Sequence, residues 1–219
     1  MKNFVKGMYQ KENFKVRLIT VILAVICMGF SLSWLVLVDF GTDPCSAMNL
    51  AISKKIGMSL GNWQALLNII LLIFVVMFGC NDIGFGTLAN MFLVGYSLDF
   101  FSWVWSKVLP DGLFDSMIVR ILVLIPALIF FIISAAVYMD VKLGTAPYDS
   151  IPFIFARWFK NIPFKYVRMG FDFSVILISV IFGGKFGIVT VLMAFTLGPV
   201  ITYIGKKIEV FIKIPEDEM

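Results

Sequence analysis

Residues 18–38 read LITVILAVICMGFSLSWLVLV, an uncharged run bounded by Arg17 on one side and Asp39 on the other. At about 1.5 Å of rise per residue, a helix of this length extends roughly 30 Å, the thickness of a bilayer's hydrocarbon core. A helix of that length on a soluble domain would carry a polar face, and this run has no charge on any turn. It predicts a membrane-spanning helix. The basic segment before it, MKNFVKGMYQKENFKVR, has the flavour of a targeting signal. The apolar run, however, exceeds the roughly 7–15 residues of a signal-peptide core, and no small-x-small cleavage site follows, so an uncleaved first span is expected.

The rest of the chain repeats the pattern. Of 219 residues, 60% are hydrophobic and 15% charged, and mean hydropathy is +0.97. Soluble domains carry about a quarter charged residues. Five further blocks have spanning length, at approximately Leu60 to Gly79, Ile83 to Ser106, Ile118 to Met139, Phe164 to Gly184 and Phe186 to Gly205. The expected fold is an all-α membrane protein of six transmembrane helices, forming one membrane domain over residues 1–219. Barrel strands would appear as shorter alternating segments.

Orientation follows from the basic residues. With the N-terminus in the cytoplasm, Lys2, Lys6, Lys11, Lys15, Arg17, Lys142, Arg157, Lys160, Lys165, Arg168, Lys206, Lys207 and Lys213 lie inside, thirteen of the eighteen. Lys54, Lys55, Lys107, Arg120 and Lys185 fall outside. The positive-inside rule therefore selects cytoplasmic termini, with tails at residues 1–15 and 206–219. Trp34, Trp103 and Trp105 then sit near outer helix ends, where aromatic belts form.

Sliding the chain on itself by 103 residues aligns Gly41, Thr42 and Pro44 with Gly144, Thr145 and Pro147. Without a gap it also aligns Gly84, Thr87 and Gly95 with Gly187, Thr190 and Gly198, and Arg17, Ala24 and Ser31 with Arg120, Ala127 and Ser134. Shared hydrophobicity does not place glycine, threonine and proline at one constant offset, so two duplicated halves are expected, about 16–101 and 119–204. Each half holds three spans, an odd number, and the second half must enter from the opposite side. This predicts two inverted three-helix repeats, an architecture that in transporters places a site at mid-membrane between the halves.

Gly41-Thr42-Asp43-Pro44 and Gly144-Thr145-Ala146-Pro147 each lead into a segment of about a dozen residues, too short to span. Glycine suits a helix end, threonine a cap and proline a first turn, so the motifs mark a break and restart. The segments themselves, CSAMNLAISKKI and YDSIPFIFARWF, are either interfacial or short interrupted helices that re-enter the membrane. Gly41, Pro44, Thr87, Gly95, Gly144, Pro147, Thr190 and Gly198 form the expected structural framework, the glycines by letting helices approach closely.

The candidate substrate-binding residues are Thr42, Asp43, Asn68, Thr145, Asp149, Arg168 and Asp172. Asp172 lies about eight residues into its span, roughly 12 Å deep, where a carboxylate has to face protein or water. Arg168, one turn earlier, either pairs with it or snorkels to the interface. Asn68 and Asn90 serve either to bond neighbouring helices or to contact a ligand, and Asp99, near its helix end, reads as interfacial.

Several function classes lose support. Cys27, Cys45 and Cys80 are scattered, and the chain has no histidine, so no metal or cofactor site is expected. No Walker loop or G-x-S-x-G motif is present, so an enzyme is not expected. The basic residues form no nucleic-acid-binding face.

These motifs resemble the YczE/YyaS/YitT family of bacterial membrane proteins, most closely its YczE-like branch. The resemblance rests on Gly41-Thr42-Asp43-Pro44 with Gly57 to Gly61, on GFGTLANMFLVGYSLDF, and on LGTAPYDS with Arg168, Asp172, GGKFG and Gly198-Pro199. The family pattern often has a tryptophan and an acid after the first proline and an Arg-Asp pair after the second. Here those places read Cys45-Ser46 and Tyr148-Asp149, and only the second acid is retained. The resemblance implies a six-helix protein of the bacterial cytoplasmic membrane and names no substrate. The expected function is a transporter or facilitator of a small solute. The alternatives are a non-transporting accessory or regulatory membrane protein, or a substrate-binding membrane subunit of a larger importer. The partners expected are the lipid bilayer and a small solute, with a homo-oligomer or a membrane partner left open.

Overall fold

The computed structural model describes residues 13–78, 83–184, 186–197, 199 and 203. Among them are α-helices α1 (Phe14–Val38), α2 (Pro44–Ile56), α3 (Leu60–Phe78), α4 (Phe85–Val108), α5 (Met117–Asp140), α6 (Pro147–Trp158), α7 (Phe164–Ile181) and α8 (Ile188–Leu197). A single 3-10 turn, Leu113–Asp115, joins α4 to α5, and there is no strand among the described residues. The chain is therefore all-helical. Residues 1–12 of the expected N-terminal tail and the expected C-terminal tail at 206–219, together with Cys80, Lys185 and Gly198, lie outside the described residues.

Among the described residues three helices, α1, α3 and α5, are long and apolar enough to cross a membrane. The sequence blocks suggested six. For two blocks the difference has a chemical cause, since α4 has the length but carries Asn90 and Asp99, and α7 carries Lys165, Arg168 and Asp172; the last block, about 186–205, lies partly outside the described residues. Polar groups that lower the hydropathy of these two helices are largely the groups that the fold turns inward, as described below.

The centre of the molecule is α1, packed against both α4 and α5. Val21, Val25, Leu32 and Leu35 of α1 are fully buried against Val94 and Leu98 of α4 and Phe131 and Tyr138 of α5. Lipid tails are as apolar as leucine, so this packing is secured by close fit and by satisfied polar groups rather than by hydrophobic transfer. Ser31 donates to the Cys27 carbonyl at 2.7 Å and Ser134 to the Phe130 carbonyl at 2.7 Å, which lets two hydroxyls sit inside the α1–α5 contact without an unpaired donor.

The two Gly-Thr-x-Pro segments start α2 and α6. Asp43 caps α2 by accepting from the Ser46 amide at 3.0 Å, and Pro44 takes the first turn, where its missing N–H costs nothing. Pro147 does the same for α6. Gly41 and Gly144 adopt φ of 103° and 104°, a region closed to side chains bearing a Cβ. Each is also in close backbone contact. A Cβ on Gly41 would strike Thr190 Oγ1 and the Gly187 backbone; one on Gly144 would strike Thr87 Oγ1 and the Gly84 backbone.

These contacts are reciprocal. The Gly86 amide donates to the Leu143 carbonyl at 2.7 Å, and the Val189 amide donates to the Phe40 carbonyl at 3.1 Å. The 103-residue offset carries Gly86 to Val189 and Phe40 to Leu143, so each bond is the image of the other with the halves exchanged. Helix packing repeats the relation: α2 rests on α7 of the other half, and α3 on α6. Both short helices are thereby held against the opposite half, with buried Met48 and Ile52 of α2 beside Val175 of α7, and Val75 of α3 beside Ile151 and Ile154 of α6.

Candidate functional site

A cavity of about 600 Å³ opens where the two halves meet, lined by residues of α1 and α2 through α8. Its walls are mostly apolar and aromatic, with Phe131, Tyr138, Tyr148, Phe153 and Phe195 among them. Into this surface project Asp43, Gln64, Asn68, Asn90, Asp149, Lys165 and Arg168. An apolar pocket with a few convergent polar groups is the usual form of a small-molecule site.

The second half supplies an ion-pair knot. Arg168 Nε donates to Asp172 at 3.0 Å and its Nη1 to Asp149 at 2.9 Å, while the Tyr148 hydroxyl donates to the other oxygen of Asp172 at 2.9 Å. Helix geometry explains the first contact, since residues four apart face the same way. The others depend on α6 lying beside α7: Pro147 begins α6 so that Tyr148 and Asp149 in its first turn meet the middle of α7. The Arg168 guanidinium also lies 5.5 Å from the centre of the Tyr148 ring, over its face. Of the two alternatives for Arg168, the structure has it paired inward. Asp172 is 3% exposed and stands behind Arg168, off the cavity wall.

The first half supplies amides. Gln64 and Asn68 lie one turn apart on α3, and Asn90 is on α4; all three are over nine-tenths buried. Buried amides ordinarily find partners. All three line the cavity, and no hydrogen bond joins them to another described residue. Asp43 adds to the set: one oxygen caps α2, and the other, Oδ1, is buried without a hydrogen-bond partner among the described residues.

Of the seven residues singled out from sequence, Asp43, Asn68, Asp149 and Arg168 line the cavity. Thr42 and Thr145 do not. The Thr42 hydroxyl donates to the Asp43 carbonyl at 3.3 Å, and Thr145 Oγ1 pairs with Ser150 Oγ at 2.9 Å, both local braces of the helix starts. Gln64, Tyr148 and Lys165 were not singled out. Gln64 was signalled by its four-residue spacing from Asn68, which puts two amides on one helix face; Tyr148 had no such signal. Asp99, read as interfacial, accepts the Gly61 amide at 2.7 Å and so caps the start of α3. Among the described residues no three His, Cys, Asp or Glu side chains come together as a metal-binding group would.

The comparisons with known proteins agree with this picture at the level of family. A family model described as a family of unknown function, DUF6198, matches residues 15–206. The uncharacterized protein YyaS of Bacillus subtilis is 25% identical over 196 residues, covering 89% of this chain and 91% of its own. The uncharacterized membrane protein YczE of the same organism is 23% identical over 166 residues, covering 74% and 73%. An uncharacterized protein of Haemophilus influenzae is 25% identical over 182 residues, covering 82% and 79%. No solved structure matches. The resemblance to YczE and YyaS read from the glycine-proline motifs therefore holds over most of the chain.

Proposed function

Given that the chain belongs to the family of unknown function DUF6198, we propose its function from the site itself: a membrane transporter or facilitator for a small polar solute, with no covalent chemistry. The observation that carries this reading is the cavity where the halves meet, lined by the amides of Gln64, Asn68 and Asn90 and by a buried carboxylate oxygen of Asp43 that has no hydrogen-bond partner among the described residues. A buried amide left unpaired costs about 1–3 kcal/mol, and several together are retained where something polar passes or binds.

In this reading the protein has six spans in two inverted repeats, α2 and α6 are the short interrupted helices of the two halves, and both termini face the cytoplasm. The reciprocal Gly86–Leu143 and Val189–Phe40 bonds support it, since a two-fold relation between halves of odd span number inverts one against the other. The cavity would open first to one side and then to the other as the halves rock about the paired glycine contacts. Loops or irregular backbone at membrane depth are tolerated where they border such a cavity.

The direct experiment is uptake by proteoliposomes of a panel of labelled small polar solutes, amines, amino acids and polyols included. We expect at least one to enter faster than into protein-free vesicles, and Asn68→Leu, which removes a cavity amide at similar volume, to abolish the difference. Absence of flux for every solute, with folded protein in the vesicles, would favour the accessory or importer-subunit alternatives.

A further inference from the structure

The cavity's charges are unevenly satisfied, and the imbalance points to a ligand class. Arg168, the half-buried cation on its wall, is already met by two carboxylates, Asp149 at 2.9 Å and Asp172 at 3.0 Å. Little of its charge is left for an incoming anion. Lys165 is exposed, with its ammonium 4.8 Å from the centre of the Tyr166 ring. Asp43 is the reverse case: 7% exposed, with no ion-pair partner among the described residues and with Oδ1 bonded to nothing there. Buried carboxylates call for a donor or a counter-charge. The same cavity wall carries the aromatic rings of Phe131, Tyr138, Phe153 and Phe195, and ring faces attract cations.

Resting on the transport reading, we infer that the cavity is a site for a small organic cation, its ammonium group beside Asp43 and its hydrogen-bonding body along the Gln64 and Asn68 amides. Arg168 in this arrangement is a fixed part of the wall, held by its two acids, and excludes ligands that carry positive charge at both ends.

Binding to purified protein in nanodiscs, measured calorimetrically, tests this without any need for flux. The probes are tyramine, tyrosol and 3-(4-hydroxyphenyl)propanoate, which share a phenol and differ in carrying a cationic, neutral or anionic tail. Tyramine should bind at least about ten-fold more tightly than tyrosol, with the propanoate weakest. Asp43→Asn should remove the preference of tyramine over tyrosol; asparagine caps helices as well as aspartate does, so α2 is retained, and an unchanged melting temperature verifies it. Asp99→Asn, at a carboxylate away from the cavity, should leave the preference intact. Equal binding of the three probes, tightest binding of the propanoate, no saturable binding of tyramine, or a preference that survives Asp43→Asn would each overturn the assignment. Tyramine selectivity without flux in proteoliposomes would instead keep the cation site and remove the transport reading.

Discussion

At the scale of single residues, the molecule separates what its halves share from what they do not. Thr42 and Thr145 share a position in the repeat and brace helix starts; the cavity residues are positions where the repeat breaks. Asp43 stands opposite Ala146, Asn68 opposite Phe171, Asn90 opposite Met193, and Arg168 opposite Ala65 at the 103-residue offset. Comparing the halves thus finds the framework and passes over the site, which is why Gln64 and Tyr148 escaped notice. The Arg168–Asp172 pair was legible because four-residue spacing is local, whereas the third member, Asp149, is brought in by the packing of α6 on α7. This knot makes a definite prediction. Asp172→Asn leaves Arg168 with one carboxylate partner and should lower stability by about 1.5–3 kcal/mol, the range for hydrogen bonds to charged groups. Arg168→Gln should cost less in that background than in the unaltered protein, since the Arg168–Asp172 contact is already gone. Thermal unfolding of the four proteins of this cycle is the measurement; strict additivity would mean that the pair contributes nothing.

At the scale of elements, the helix starts were readable and the character of two helices was not. Asp43-Pro44 and Ala146-Pro147 begin α2 and α6 as proline and capping chemistry dictate, and α3 begins at Leu60 and α7 at Phe164 as their blocks suggested. The amphiphilic character of α4 and α7 depends on tertiary partners that no local pattern encodes. The glycine breaks carry the element-scale prediction. Gly41→Ala and Gly144→Ala each force a Cβ into a positive-φ backbone and against the other half, and each should cost about 1–3 kcal/mol. Gly57→Ala also meets a positive φ, of 72°, but has open space around its Cβ, so its cost should be smaller, about 1 kcal/mol. If all three variants melted alike, the close contacts at Gly41 and Gly144 would not be limiting.

At the scale of the whole molecule, the all-helical membrane character was evident from uncharged runs such as residues 18–38, because lipid imposes length and composition directly on the chain. A site between the halves was expected from the repeat, but the lining of the cavity was not legible, since it depends on how the two halves meet. Topology gives the first test: a reporter fused after Met219 should be active in the cytoplasm, and an external signal would reject the proposed orientation. The second bears on the central idea, that one cavity is reached alternately from both faces of the membrane. Cys45 lines the cavity and is partly exposed, so it can report access once Cys27 and Cys80 are changed to serine. A membrane-impermeant thiol reagent is applied to right-side-out vesicles and, separately, to inverted ones. Alternating access predicts labelling of Cys45 in both preparations; labelling from one side only, in protein whose Cys45 reacts fully once denatured, would contradict it.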